Sequence, residues 1–197
     1  MPLKDFLDWL VGNKPRQNFR VKPVRTSAPS TQPKSLVVRP ERGAVYLSPE
    51  VSKDVFTLKA GELPPVRLVI HKGQGWLRDT KHYLLVVPGN RYLASAGVFT
   101  LNVRGTKYNA QNYRGPRLVP GDLLSLVREP DNEYDSNAIA VCRLGHSAPL
   151  GYVNKGLAKR LAKRLDAGEV FEARVLRYRE PFSIAISTPE FMQHIFR

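Results

Sequence analysis

A single cysteine, Cys142, excludes a disulfide framework and any zinc site built on paired thiolates. No apolar run approaches the roughly eighteen residues that cross a bilayer as a helix, so no membrane span is expected. The first dozen residues place Asp5 and Asp8 inside their apolar stretch and offer no small-residue cleavage site. That pattern is not a secretory signal, and a cytosolic, reducing compartment is expected, on the nucleoid in a bacterial host. The chain also lacks a Gly-rich phosphate loop, a Ser-His-Asp set and an HExxH pair; Gly73-Gln-Gly75 has no third glycine and no helix after it. Neither an enzyme nor a cofactor is expected. Acid is scarce as well, with 17 Asp+Glu against 31 Lys+Arg and a net charge of +14 over 197 residues. Such an excess points to a polyanionic partner, nucleic acid before an acidic protein or membrane surface.

What is present divides by composition. Leu3, Phe6, Leu7, Leu10 and Val11 recur at helical spacing, so residues 1–13 read as a short amphipathic helix that needs a surface to dock on. Residues 14–42 are basic and proline-rich without an apolar period, and read as a flexible linker that is either a phosphate-seeking arm or a plain solvated tether. Residues 43–94 read as a β-rich extension with strand-like runs at Val66–His71 and His82–Val87 and a turn around Gly73–Trp76.

From residue 95 the pattern is clearer. Alternating runs at Val98–Arg104, Leu123–Arg128, Ala138–Leu144, Gly151–Val153, Val170–Tyr178 and Phe182–Ser187 predict short strands. Between them, Asn154 caps a helix whose buried stripe is Leu157, Ala158, Leu161, Ala162 and Leu165 and which Gly168 ends. Five or six short strands with one or two helices predict a mainly β (α+β) fold, a small barrel rather than a βαβ sheet. The helix carries Lys155, Lys159, Arg160, Lys163 and Arg164 opposite its apolar stripe, which reads as a phosphate-contacting face or as an ordinary solvated one.

The loop at 129–137 is the densest polar cluster. Asp131, Glu133, Asp135 and Asn137 imitate a calcium loop but put Ser136 where glycine belongs and Cys142 where the closing glutamate belongs. Cys142 itself, inside an apolar strand, reads as a core thiol. A carboxylate in a basic domain opposes generic phosphate binding, and one use for it is to accept a hydrogen bond from a nucleic-acid hydroxyl. Tyr134 beside it can stack on a base. The other reading of Asp135 and Asn137 is an Asx turn that merely holds the backbone.

The run Arg128-Glu-Pro-Asp-Asn-Glu-Tyr-Asp-Ser-Asn-Ala-Ile-Ala-Val, followed by Leu150-Gly-Tyr-Val-Asn-Lys and Leu165-Asp-Ala-Gly, closely resembles the HIRAN domain over residues 95–190. The resemblance implies an OB-like β-barrel that binds single-stranded DNA at 3′-hydroxyl ends, in DNA repair or replication-fork processing. It also implies a helicase or nuclease partner for any remodelling. On this basis Asp135 is the expected acceptor for the 3′-hydroxyl, with Tyr134 in the same pocket motif and Asn132 in the same loop. Gly105-Thr-Lys-Tyr is similar to the family's first-strand motif, which puts Lys107 on phosphate and Tyr108 on a base. Tyr152 and Lys155 fall at the corner expected to meet terminal phosphates, Lys159 belongs to the basic helix face, and Phe182 matches a late stacking aromatic. Two rival functions stand beside this one: a protein-interaction adaptor that has lost DNA binding, and a metal nuclease using Asp131, Glu133 and Asp135.

Overall fold

The computed structural model describes residues 36–38, 45–113 and 115–197; the expected amphipathic helix 1–13 and most of the linker 14–42 lie outside them. Lys34–Arg197 form one compact unit. The end of the expected linker is a strand, β1 (Leu36–Val38), antiparallel to β2 (Val45–Leu47). A helix follows, α1 (Pro49–Phe56), capped by the Ser48 hydroxyl accepting from the Val51 amide at 3.3 Å. Strands β3 (Val66–His71) and β4 (Gln74–Asp79) then make a hairpin, and a one-turn helix, α2 (Arg91–Ser95), leads out of the extension.

The hairpin corrects one expectation. Gln74–Asp79, where a turn was expected to begin, is the strand that pairs with Val66–His71, and the run His82–Val87 is not a strand. The reason is Asp79, wholly buried, whose carboxylate accepts from the amides of Lys81 (3.0 Å), His82 (2.7 Å) and Leu84 (2.8 Å). That turn, with Tyr83 at φ 61, interrupts the branched run, and Leu85 bridges Tyr46 of β2 and Arg78 of β4.

The second half holds β5 (Phe99–Asn102), a kinked 3-10 segment (Thr106–Tyr113), β6 (Leu123–Arg128), β7 (Ile139–Arg143), β8 (Pro149–Tyr152), α3 (Lys155–Asp166), β9 (Glu172–Arg177), β10 (Ser183–Ser187) and α4 (Pro189–Ile195). Its six strands form one antiparallel sheet in the order β5-β10-β9-β6-β7-β8. The sheet curls until its two edges meet: Arg104, just past β5, and Tyr152, ending β8, exchange two main-chain hydrogen bonds of 2.8 Å. The expected mainly β, OB-like architecture is the one observed.

Side-chain alternation divides this sheet between two cores. Ala173, Val175, Ile184 and Ile186 point inward and join Leu124, Ile139, Val141, Leu150 and the α3 residues Ala158, Leu161 and Ala162. Leu176 and Ala185, on the outer face, pack with Leu47, Phe56, Val66, Leu77 and Val86 of the extension and with Met192 and Ile195 of α4. Hence every residue of β10 is buried. The extension is not an appended module but the second layer over β9 and β10, and each of its fully buried Val or Leu side chains contributes roughly 1.5–3 kcal/mol.

Candidate nucleic-acid interface

The 129–137 loop joins β6 to β7, and one arginine organises it. Arg128 closes β6 and donates from Nη1 to the Ala138 carbonyl (2.9 Å) and from Nη2 to the Ser136 carbonyl (3.1 Å). The same guanidinium clasps Asp166 at the end of α3, with contacts of 2.9 and 3.1 Å. A planar fork with several donors is what this geometry requires. The clasp holds the Asp166 carboxyl below its ordinary pKa, chiefly through the hydrogen bond from Arg128.

Within the loop, Asn132 is fully committed to structure. Its Nδ2 donates to the Glu129 carboxylate at 2.7 Å, while its Oδ1 accepts from the amides of Tyr134 (3.0 Å) and Asp135 (3.3 Å). The Glu129 carboxylate also acts on the Tyr152 phenol: burial first, then this carboxylate, push it up to about 12. One half-buried carboxylate therefore ties the loop to the closing strand β8.

Asp135 makes the Asx turn: its Oδ1 accepts from the Asn137 main-chain amide at 2.9 Å and from Asn137 Nδ2 at 3.2 Å. Its Oδ2 takes no hydrogen bond among the described residues. The two readings of this residue are therefore compatible, because the turn occupies one oxygen. Tyr134 next to it is 39% exposed. Asp131, Glu133 and Asp135 do not form a group able to hold a metal ion, nor does any other set among the described residues.

The remaining expected residues separate into those at the surface and one that is not. Lys107 and Tyr108 are exposed on the 3-10 segment, which packs along β8 with Asn112 Nδ2 donating to the Pro149 carbonyl at 2.7 Å. Lys155 and Lys159 are exposed on α3, whose first turn carries no acid, so the helix N-terminus adds to their positive potential. Of the five cations on this helix, Arg164 is paired with Glu169 (2.6 Å) and Arg160 lies over Phe99 at 5.6 Å. Lys155, Lys159 and Lys163, spaced four apart on one ridge, form no ion pair among the described residues. Phe182 is a correction: it is 1% exposed, edge-on to Tyr178 at 5.6 Å, and part of the inner core. A ring enclosed in this way offers no face to a base.

Sequence reading passed over three residues that build the site. Arg128 and Glu129 look like ordinary members of a polar run, and only the fold shows what they hold. Arg104 is exposed at the closing bridge beside Tyr152, and its place at the end of an alternating strand, just before Gly105, was a usable signal.

The HIRAN domain model matches residues 96–189. Among solved structures, the HIRAN domain of human HLTF is 24% identical with a TM-score of 0.39, covering 50% of this chain and 83% of that one. A protein from Lactobacillus plantarum is 27% identical with a TM-score of 0.38, covering 46% of this chain and 88% of that one. No curated protein matches. The family match, which spans the whole curled sheet, carries the assignment: residues 96–189 are a HIRAN domain, a DNA-binding module of that type.

Proposed function

We propose that this domain captures the 3′ end of single-stranded DNA and that Asp135 selects the terminal 3′-hydroxyl. The observation that carries the reading is the state of the Asp135 carboxylate, with Oδ1 fixed by the turn and Oδ2 left to accept, inside a loop pinned on both sides by Arg128 and Glu129. A pre-set acceptor loses little on binding, and a hydrogen bond to a charged acceptor contributes about 1.5–3 kcal/mol. Tyr134 and Tyr108 supply stacking faces for the last bases, at roughly 1–3 kcal/mol per base. Lys107, Lys155, Lys159 and Arg104 supply phosphate contacts that do not read sequence. The domain acts as an end-capture module for repair or fork processing, with any chemistry on the strand performed by a helicase or nuclease partner.

The test compares two oligonucleotides that differ only in a 3′-hydroxyl or a 3′-phosphate. A phosphate facing Asp135 is repelled, so the hydroxyl end should bind about tenfold or more tightly. Equal affinity for the two ends would remove the end-recognition reading. Binding that ignores salt would favour the adaptor reading, since phosphate contacts weaken steeply as salt rises.

A further inference from the structure

At the far end of β6 from the 129–137 loop lies a groove of about 480 Å³ between the extension and the HIRAN domain. The β3–β4 turn contributes Ile70 and Lys72, the segment before β6 contributes Arg117 and Val119, and the segment after β9 contributes Arg177 and Arg179. Among the described residues no acidic side chain lines it. Arg177 is held in place, donating from Nε to the Pro181 carbonyl at 3.0 Å and lying over the Trp76 ring at 6.0 Å. Lys72, Arg117 and Arg179 are exposed and form no ion pair among the described residues. Behind the lining residue Tyr178, Arg143 donates to its hydroxyl at 3.1 Å, and Arg143 Nε is buried with no hydrogen-bond partner among the described residues.

The walls of this groove are fixed by a close backbone approach. A Cβ at Gly75 would stand 2.9 Å from the Leu176 carbonyl oxygen and 3.0 Å from Pro120 Cβ. Only glycine lets β4 seat this tightly on β9 and on the 117–120 segment, so the cations of the hairpin and of the domain face a common space.

We propose that this groove is a second nucleic-acid site, which binds the backbone of a single strand independently of the 129–137 loop. Four cations with no acid among them match a row of phosphates. Ile70 and Val119, 57% and 52% exposed, add apolar surface within the same groove. Unpaired bases present apolar faces to such surface, whereas a duplex presents phosphates and groove edges, and an acidic peptide has no use for it. Strand β6, six residues at about 3.3 Å each, separates groove from loop by roughly 20 Å. A strand longer than about six nucleotides reaches both, at about 3.4 Å per nucleotide.

The experiment measures binding of an oligothymidylate of about twenty nucleotides, with either 3′ end, across a salt series. The groove variant is Arg117→Glu with Arg179→Glu; its control, Lys53→Glu with Lys59→Glu, changes net charge equally at exposed sites outside the groove. The groove variant should weaken both oligonucleotides about tenfold or more beyond the control, and its logarithmic salt slope should be shallower by about 1.4, two contacts at about 0.7 each. The ratio between the two ends should stay as in the parent protein. If that ratio is unity while the groove variant still weakens both, the loop reading fails and the groove stands. A groove variant indistinguishable from the control would overturn the proposal, as would tighter binding of a poly-glutamate peptide than of the oligothymidylate.

Discussion

The main chains of Arg104 and Tyr152 exchange two hydrogen bonds of 2.8 Å, and that single bridge turns a six-stranded sheet into a closed wall. It brings the end of β8, and with it the Tyr152 side chain, beside the start of the 3-10 segment that carries Lys107 and Tyr108. The approach is close enough to specify the residue in between. A Cβ on Gly151 would stand 2.4 Å from the Arg104 carbonyl oxygen and 2.6 Å from Val103 Cγ1. Gly151→Ala should therefore spread the seam, costing about 2 kcal/mol or more and lowering the thermal midpoint by several degrees. DNA affinity should fall with it. Calorimetry with an unchanged midpoint would show that the seam tolerates a methyl group.

Asp135→Asn separates the two tasks of this residue. The amide oxygen can still accept from the Asn137 main chain, so the turn and the midpoint should be nearly unchanged. The free oxygen is replaced by a donor, which suits a phosphate better than a hydroxyl. The preference for a 3′-hydroxyl end over a 3′-phosphate end should thus collapse by about tenfold or more, with total affinity kept or raised. A large fall in thermal stability instead would mean that the turn needs the charge.

Arg128→Lys tests whether the loop must be held. Lysine cannot reproduce a fork that meets Asp166, Ser136 and Ala138 together. The ion pair itself contributes little, since Asp166 is more than half exposed, so the effect should come from the lost carbonyl contacts, about 1–2 kcal/mol. Amide exchange in 129–137 should quicken and end discrimination should drop, although no proposed DNA contact is removed. The folded-state pKa of Asp166 is lowered, so the clasp's contribution is present above the ordinary carboxylate range and lost as pH falls through that lowered value. In Arg128→Lys the acid-side loss of stability should shrink.

How far the sequence discloses this molecule varies from one element to the next. Strands β6, β7, β9 and β10 and helix α3 follow from period alone, and Asn154 caps α3 as its residue type suggests, accepting from the Leu157 amide at 3.1 Å. Apolar period does not disclose α1, α2 or α4, although α1 and α4 begin alike, Ser48-Pro49-Glu50 and Thr188-Pro189-Glu190, a cap followed by proline and an acid. The first residues of strand β4 read as part of a turn because Gly75 resembles a breaker, whereas its glycine answers a tertiary contact that no local pattern contains. Phe182 fails for the complementary reason: an aromatic at the head of a strand looks the same whether a base or a core awaits it. Asp135 was legible as a candidate, but Glu129 and Arg128 acquire meaning only from Tyr152 and Asp166, which lie far along the chain.

Asp79 supports the extension as Arg128 supports the loop. Its two oxygens accept from three main-chain amides in a site closed to solvent. Asp79→Asn turns one oxygen into a donor facing an N–H, an unmet buried pair costing about 1–3 kcal/mol. Because the extension and the outer face of β9 and β10 share one core, denaturant unfolding should remain a single transition shifted to lower denaturant. Two separate transitions would show that the extension folds by itself.

Alkaline unfolding should report the tie between β8 and the loop. Burial and the Glu129 carboxylate raise the Tyr152 phenol from 10 to about 12 in the folded protein. A folded-state pKa above the unfolded one means that the native state holds the extra proton, so this contribution is complete below pH 10 and is lost as pH climbs toward 12. Tyr152→Phe removes the titrating group and its polar hydroxyl together. The variant should be less stable than the parent at neutral pH by about 1 kcal/mol, and its stability should fall less steeply over the alkaline window. Phenolate absorbance in the parent should likewise show one tyrosine ionising later than in the variant. Parallel stability curves for the two proteins through that window would mean that the Tyr152 phenol is not raised in the folded protein.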